Sequence, residues 1–237
     1  CTNDERIGGA EALVRWQSAT EGMIYPDEFI SLFEKNGFIV QLDLWVFEQV
    51  CRTLRLWLDR GLTPMRISVN CSRVHLKMPG FLDQYCLIAD RYAVPHRLLE
   101  IEVTENVVFE DVHYLTQIIA GIHTAGFSCS MDDFGSGYSS LNLIQDIPVD
   151  VLKLDKIFFR SNAHGLGRTE SVVGSIIAMA RALSMETVAE GVEERHQVDM
   201  LRRLGCDYIQ GYYFARPMSI PDFEVLAFGA LQTSEVP

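Results

Sequence analysis

The chain has little positive charge. Of its 237 residues, 20 are Lys or Arg against 32 Asp or Glu, so the formal net charge is −12. A field of that sign repels nucleic-acid backbone and anionic lipid alike, which argues against a DNA or RNA polymer or a membrane surface as partner. Any anionic substrate then needs cations supplied locally. A CxxC pair is also missing: the six cysteines (Cys1, Cys51, Cys71, Cys86, Cys129, Cys206) are scattered among mostly apolar neighbours. That speaks against a zinc knuckle or a disulfide framework and suits the reduced core of a cytoplasmic protein. No signal peptide stands at the start, and no apolar run approaches the ~18 residues of a membrane span.

What is present is alternation. Strand-like runs at 9–14, 66–71, 98–104, 128–132, 151–155, 186–190 and 208–211 are separated by amphipathic, helix-like stretches, with no linker or low-complexity segment between them. Pro26 opens one such stretch, which Asn36-Gly37 closes, and Gly205 ends another. Repeated βα units predict a parallel sheet with helical crossovers, either a closed barrel or an open doubly wound sheet. A barrel is favoured because no GxGxxG turn follows the first strand. The seven runs are one short of the usual eight. Either a strand precedes residue 1 or a weak one escapes the pattern, and the start at Cys1 without methionine suits a fragment of a longer protein.

The chemistry gathers where a barrel places its catalytic face, at the strand ends. Asn70, Glu102, Asp132 with Asp133, Lys153, Glu190 and Gln210 stand there, and Glu11 comes earlier on the first strand. Strand alternation would set Glu11, Leu13 and Arg15 on one face. Taken singly, each has a plain explanation: a solvated loop carboxylate or helix cap, a snorkelling lysine, a satisfied core amide. Convergence is what those explanations miss, because burying so many carboxylates together without cations is severely unfavourable. Carboxylates and an amide oxygen without clustered His or Cys are hard donors that suit magnesium, manganese or calcium rather than zinc. Adjacent Asp132 and Asp133 could share a metal pair of the kind that cleaves phosphodiesters, provided the second sits where the strand turns into its loop. That loop, FGSGYSSL from Phe134 to Leu141, could cradle phosphate or close as a lid.

These residues resemble the EAL-domain phosphodiesterases, which hydrolyse the bacterial second messenger cyclic di-GMP. The signature stands as Glu11-Ala12-Leu13, followed by SVNCS around Asn70, IEVTE from 101, DDFGSGYSSL from 132, KLD from 153, AEGVE from 189 and QGYYFARP from 210. The resemblance covers essentially the whole chain and implies a TIM-like (β/α)8 barrel. It implies that Glu11, Asn70, Glu102 and Asp132 hold one metal ion, Mg²⁺ or Mn²⁺, and that Asp132 and Asp133 engage a second. Lys153 and Glu190 would orient or deprotonate the attacking water, Gln210 would assist at the second metal, and Glu105 would brace the loop from Asp133 to Ser140. Leu13 and Arg15 would contact the dinucleotide, with Asp133, Gly135, Ser136, Gly137, Tyr138, Ser139 and Pro217 completing the substrate site, and the product would be linear pGpG. Calcium is expected to occupy the site yet inhibit, because its longer, looser coordination suits a tight two-metal geometry poorly.

One departure stands out: the family strand carrying a Tyr-Gln-Pro segment ahead of the EAL signature is absent here. The resemblance therefore implies residues 1–237 as a single, N-terminally truncated EAL domain. Its parent is expected to be a larger signalling protein, linked upstream to sensory or GGDEF-type domains, homodimeric, and cytoplasmic or tethered to a membrane. Two other readings stand beside catalysis. One is a catalytically silent receptor for cyclic di-GMP, which this chain's complete set of acidic ligands disfavours. The other is a Mg²⁺-dependent barrel lyase or phosphatase, which the motif order disfavours.

Overall fold

The computed structural model describes residues 6–104, 112–136, 141–159 and 166–229. Among them, seven strands form one sheet: β1 (Gly9–Ala12), β4 (Arg66–Asn70), β5 (Leu99–Thr104), β6 (Ser128–Phe134), β7 (Val151–Leu154), β8 (Glu186–Ala189) and β9 (Tyr208–Ile209), neighbours in that order. Every neighbouring pair is parallel. The seven runs expected from the sequence are these seven strands. A small antiparallel hairpin, β2 (Trp16–Ser18) with β3 (Gly22–Ile24), interrupts after β1 and was not anticipated.

Around the sheet lie α1 (Pro26–Asn36), α2 (Ile39–Asp59), α3 (Arg73–Leu76), α4 (Phe81–Arg91), α5 (Val112–Thr124), α6 (Leu141–Asp146), α7 (Leu166–Ala182), α8 (Arg195–Leu204) and α9 (Ile220–Phe228). Pro26 sits in the first turn of α1, where a missing N–H costs nothing, and Gly37 closes that helix in the left-handed conformation. Between sheet and helices lies an apolar layer in which Phe47, Leu54, Tyr85, Ile101, Ile119 and Ile122 are fully buried. Each such side chain contributes roughly 1.5–3 kcal/mol by leaving water. Leu99, Ile101 and Val103 of β5 face that layer, so the alternate residues Glu100 and Glu102 point the other way, into the lumen the curled sheet encloses.

The curl brings the two ends of the sheet together. Gln210, just past β9, donates from Nε2 to Oε2 of Glu11 on β1 at 2.8 Å. Below that contact, β1 and β9 do not pair with each other among the described residues. A cavity of about 830 Å³ runs along the seam, lined by Ala10, Trp57, Ile67, Ile209 and Phe223 and reaching Glu11, Glu102, Lys153 and Gln210 at the mouth. The eighth strand that the resemblance placed ahead of residue 1 has no counterpart among the described residues. Also among them, no helix is long and apolar enough to cross a membrane.

Candidate active site

Lys153 is the centre of the mouth. It lies on β7 between Leu152 and Leu154, which face the helices, so its side chain enters the lumen and is 3% exposed. Nζ lies 2.8 Å from Oε1 of Glu102, 2.8 Å from Oε1 of Glu190, 3.2 Å from Oδ1 of Asp132 and 3.5 Å from Oε2 of Glu11. It does not snorkel to solvent. Backbone bonds that continue the ladder past the strand ends place two further groups: Glu190 N donates to the Leu154 carbonyl and Gln210 N to that of Ala189. Asn70 closes the ring, its Nδ2 donating to Oε1 of Glu11 at 3.0 Å.

The titration behaviour follows from this crowding. Burial would hold the Lys153 ammonium down, but Glu102, Glu190, Glu11 and Asp132 together raise its pKa well above the ordinary lysine value. It stays charged. Glu102, wholly enclosed, is pushed well above the usual carboxylate range by burial, and Glu11 and Asp132 add to the push against the pull of Lys153. Burial likewise lifts Glu190 to about 7, assisted by Asp132 and Glu11. Glu11 behaves in the opposite way: burial acts to raise it, yet Lys153 and the hydrogen bonds from Gln210 and Asn70 bring it below its ordinary value.

Asp133 shows how two neighbouring carboxylates can serve one site. On a regular strand it would point away from Asp132, but the β6–β7 register shifts between Met131 and Phe134, and Asp133 itself adopts a left-handed φ of 57°. Asp132, Asp133 and Glu190 can then each offer an oxygen, all within 4.8 Å of one another. The turn continues with Ser136 N donating to the Asp133 carbonyl. Gly135 is required there: its φ is 96°, and a Cβ would lie 2.2 Å from the Phe158 ring. Burial, then Asp132 and Asp155, raise the Asp133 carboxyl.

The donor set suits hard divalent cations. Oε1 of Glu102, Oδ1 of Asp132 and Oε1 of Glu190 are buried with Nζ as their ion-pair partner, and Oε2 of Glu102 is buried with no hydrogen-bond donor among the described residues. Acceptors of this kind, in a net-anionic mouth, are what a magnesium or manganese ion satisfies. A second trio, Asp43, Cys71 and His75, also brings ligand atoms within 4.8 Å. It is closed off beneath α2, and its carboxylate already accepts from Ser72.

Other expected site residues divide into two groups. Leu13, Arg15 and Pro217 line the seam cavity with Glu11 and Gln210. The shared strand face expected for Glu11, Leu13 and Arg15 is not there, however. β1 ends at Ala12 because the chain must turn to start the hairpin at Trp16, and Arg15 donates from Nη1 to the Val14 carbonyl instead. Glu105, Gly137, Tyr138 and Ser139 lie outside the described residues. Sequence reasoning missed a lower ring in the lumen, where Arg66 meets Glu100 and Glu186. The same alternation that flagged Asn70, Glu102 and Glu190 could have found it two or four residues upstream.

The EAL domain family model matches residues 1–217. The bifunctional diguanylate cyclase/cyclic di-GMP phosphodiesterase MucR of Pseudomonas aeruginosa is 39% identical over 210 residues, 89% of this chain and 30% of that protein. The cyclic di-GMP phosphodiesterase PdeR of Escherichia coli K12 is 36% identical over 218 residues, 92% of this chain and 33% of that protein. A solved complex of the PaMucR phosphodiesterase with c-di-GMP superposes with a TM-score of 0.84 at 38% identity, covering 90% of this chain and 86% of that one. The chain thus spans about a third of the length of these curated relatives.

Proposed function

Because the chain belongs to the EAL domain family, we propose that it is a metal-dependent phosphodiesterase that hydrolyses cyclic di-GMP to linear pGpG. The observation that carries this reading is the surplus of buried carboxylate around Lys153. Glu11, Asn70, Glu102 and Asp132 would hold one Mg²⁺ or Mn²⁺, with Asp132 and Asp133 serving a second. When bound, such ions supply water activation and charge neutralisation on the phosphoryl oxygens.

The chain's own groups then divide the remaining work. Lys153, held protonated, cannot take a proton; it orients the attacking water and steadies charge that develops on the phosphate. Glu190, beside Asp132 and Asp133 and 2.8 Å from Nζ of Lys153, is the carboxylate placed to accept the water's proton. Gln210 and Asn70 hold the Glu11 carboxylate from either side. Leu13, Arg15 and Pro217 flank the cavity where the dinucleotide would lie, and Asp133, Gly135 and Ser136 would stand beside its phosphates. Glu105 would brace the loop from Asp133 to Ser140. Local cations also resolve how a chain of net charge −12 accepts an anionic substrate.

The same reading carries the remaining expectations: one EAL domain within a longer cytoplasmic signalling protein, linked upstream to sensory or GGDEF-type domains, homodimeric, and inhibited by Ca²⁺. The test is incubation of purified protein with cyclic di-GMP and Mn²⁺ or Mg²⁺, followed by chromatography. Release of pGpG is expected. Tight binding of cyclic di-GMP by calorimetry with no pGpG would replace the enzyme with a receptor.

A further inference from the structure

Asn70 is the one neutral group in the mouth's proposed ligand set, and it is the last residue of its strand. What holds it in place lies outside the lumen. Cys71 N donates to the Glu102 carbonyl at 3.0 Å, carrying the ladder one residue further. Ser72 then leaves the sheet in extended conformation and caps α3, its Oγ accepting from His75 N at 3.2 Å.

The turn between Asn70 and α3 is tied down by a single oxygen. Oδ2 of Asp43, on α2, accepts from Ser72 N at 3.0 Å and from Ser72 Oγ at 2.7 Å, and Nδ1 of His75 lies 3.3 Å away. Asp43 is 8% exposed and the His75 ring is fully buried. These are charge-assisted contacts in a closed space, the kind that fix geometry most firmly. An acidic side chain at this point of an outer helix has no part in the lumen's ring of carboxylates. It holds the turn that follows Asn70, through Ser72 and His75.

We propose that Asp43 is a positioning residue for Asn70, acting through Ser72. The carboxylate sets the course of the chain directly after the strand, so that Asn70, whose Nδ2 is committed to Glu11, keeps its Oδ1 available to a divalent ion. This rests on the reading of Asn70 as part of the metal site. Groups that support a metal ligand from behind typically govern affinity by about 10–100-fold.

The test is Mn²⁺ binding by calorimetry without substrate, beside thermal melts and cyclic di-GMP turnover. Asp43→Ala should weaken Mn²⁺ binding about tenfold and raise the half-saturating Mn²⁺ for turnover by the same factor. Asp43→Asn, which keeps one accepting oxygen, should restore most of the affinity. Phe47→Leu, one turn along the same helix, should lower the melting temperature and leave Mn²⁺ affinity unchanged. Ser72→Ala, which removes the hydroxyl link together with the side-chain cap of α3, should weaken binding about threefold and serves if Asp43→Ala does not fold. Wild-type affinity in a folded Asp43→Ala or Ser72→Ala variant overturns the inference, as does a wild-type chain that binds no Mn²⁺. If the wild type binds Mn²⁺ but releases no pGpG, the phosphodiesterase reading fails, while an Asp43→Ala loss of affinity still sustains this one.

Discussion

The two ends of the lumen are built from the same strands by the same alternation, yet they end in different electrostatic states. At the base, Arg66 places Nε 2.8 Å from Oε2 of Glu100 and Nη2 2.8 Å from Oε2 of Glu186, while Nη1 donates to Ser128 Oγ. Tyr208 donates its hydroxyl to the other oxygen of Glu186. A planar fork meets two carboxylates, so one cation stands against two acids at the base. At the mouth, one ammonium faces four carboxylates, and Oε2 of Glu102 is buried with no hydrogen-bond donor among the described residues. The base pairs most of its charge internally; the mouth keeps a surplus of carboxylate that suits a further cation. A surplus of buried carboxylate oxygen gathered at one end of the lumen marks that end as the working one.

The contrast breaks first under substitution of the acids. Asp132→Asn should abolish measurable pGpG release, a loss of at least about 10³-fold, because the proposed ligand set loses a charged oxygen worth several kcal/mol. Glu186→Gln at the base should leave turnover within about threefold of wild type, since it removes nothing the substrate meets. Equal losses at both ends would erase the distinction.

Arg66→Ala reverses the assignment of effects. It leaves Glu100, only 6% exposed, without its cation. It should cost about 3 kcal/mol in urea unfolding, as removal of one partner from a buried pair does, while turnover of the folded fraction stays close to wild type. Lys153→Ala should do the opposite at saturating Mn²⁺: kcat falls about 100-fold with KM little changed, if Lys153 acts on the attacking water rather than on ground-state binding. A rise in KM alone would move Lys153 into substrate binding.

One side of this contrast, the mouth, is legible in the sequence. Period-two patterning in otherwise apolar runs brought out Asn70, Glu102, Asp132, Lys153, Glu190 and Gln210, because a lumen-facing side chain has no other reason to be charged. Asp133 is legible as a problem, since a strand cannot aim two neighbours at one site; the left-handed residue and register shift that solve it leave no periodic signal. The base was equally encoded, in Arg66, Glu100 and Glu186, but attention to strand ends passed over it. Asp43 was not legible at all, because its partner Ser72 is 29 residues away and no local pattern links them. The hairpin at 16–24 was missed for a similar reason: its strands are 3 residues each, too short to display a period.

The smallest effect separates the ends by pH. Between its ordinary value of 4.5 and its folded value of about 7, Glu190 keeps a proton in the native state that the unfolded chain has released. Its contribution to stability is therefore present at pH 5 and lost as pH rises through 7. Glu102 and Glu100, also raised by burial, push in the same direction. Without added metal, the melting temperature should thus fall from pH 5 to 7.5 by a few degrees, given roughly 2–4 °C per kcal/mol for a chain of this size. Glu190→Gln should flatten that slope. Mn²⁺ sharpens the comparison further, because ions bind carboxylates only when these are deprotonated. It should raise the melting temperature strongly at pH 7.5 and little at pH 5, and reverse the mouth's share of the slope while leaving the share due to Glu100 at the base. An equal Mn²⁺ shift at both pH values, or an unchanged slope in Glu190→Gln, would show that the mouth does not hold the titrating surplus its geometry implies.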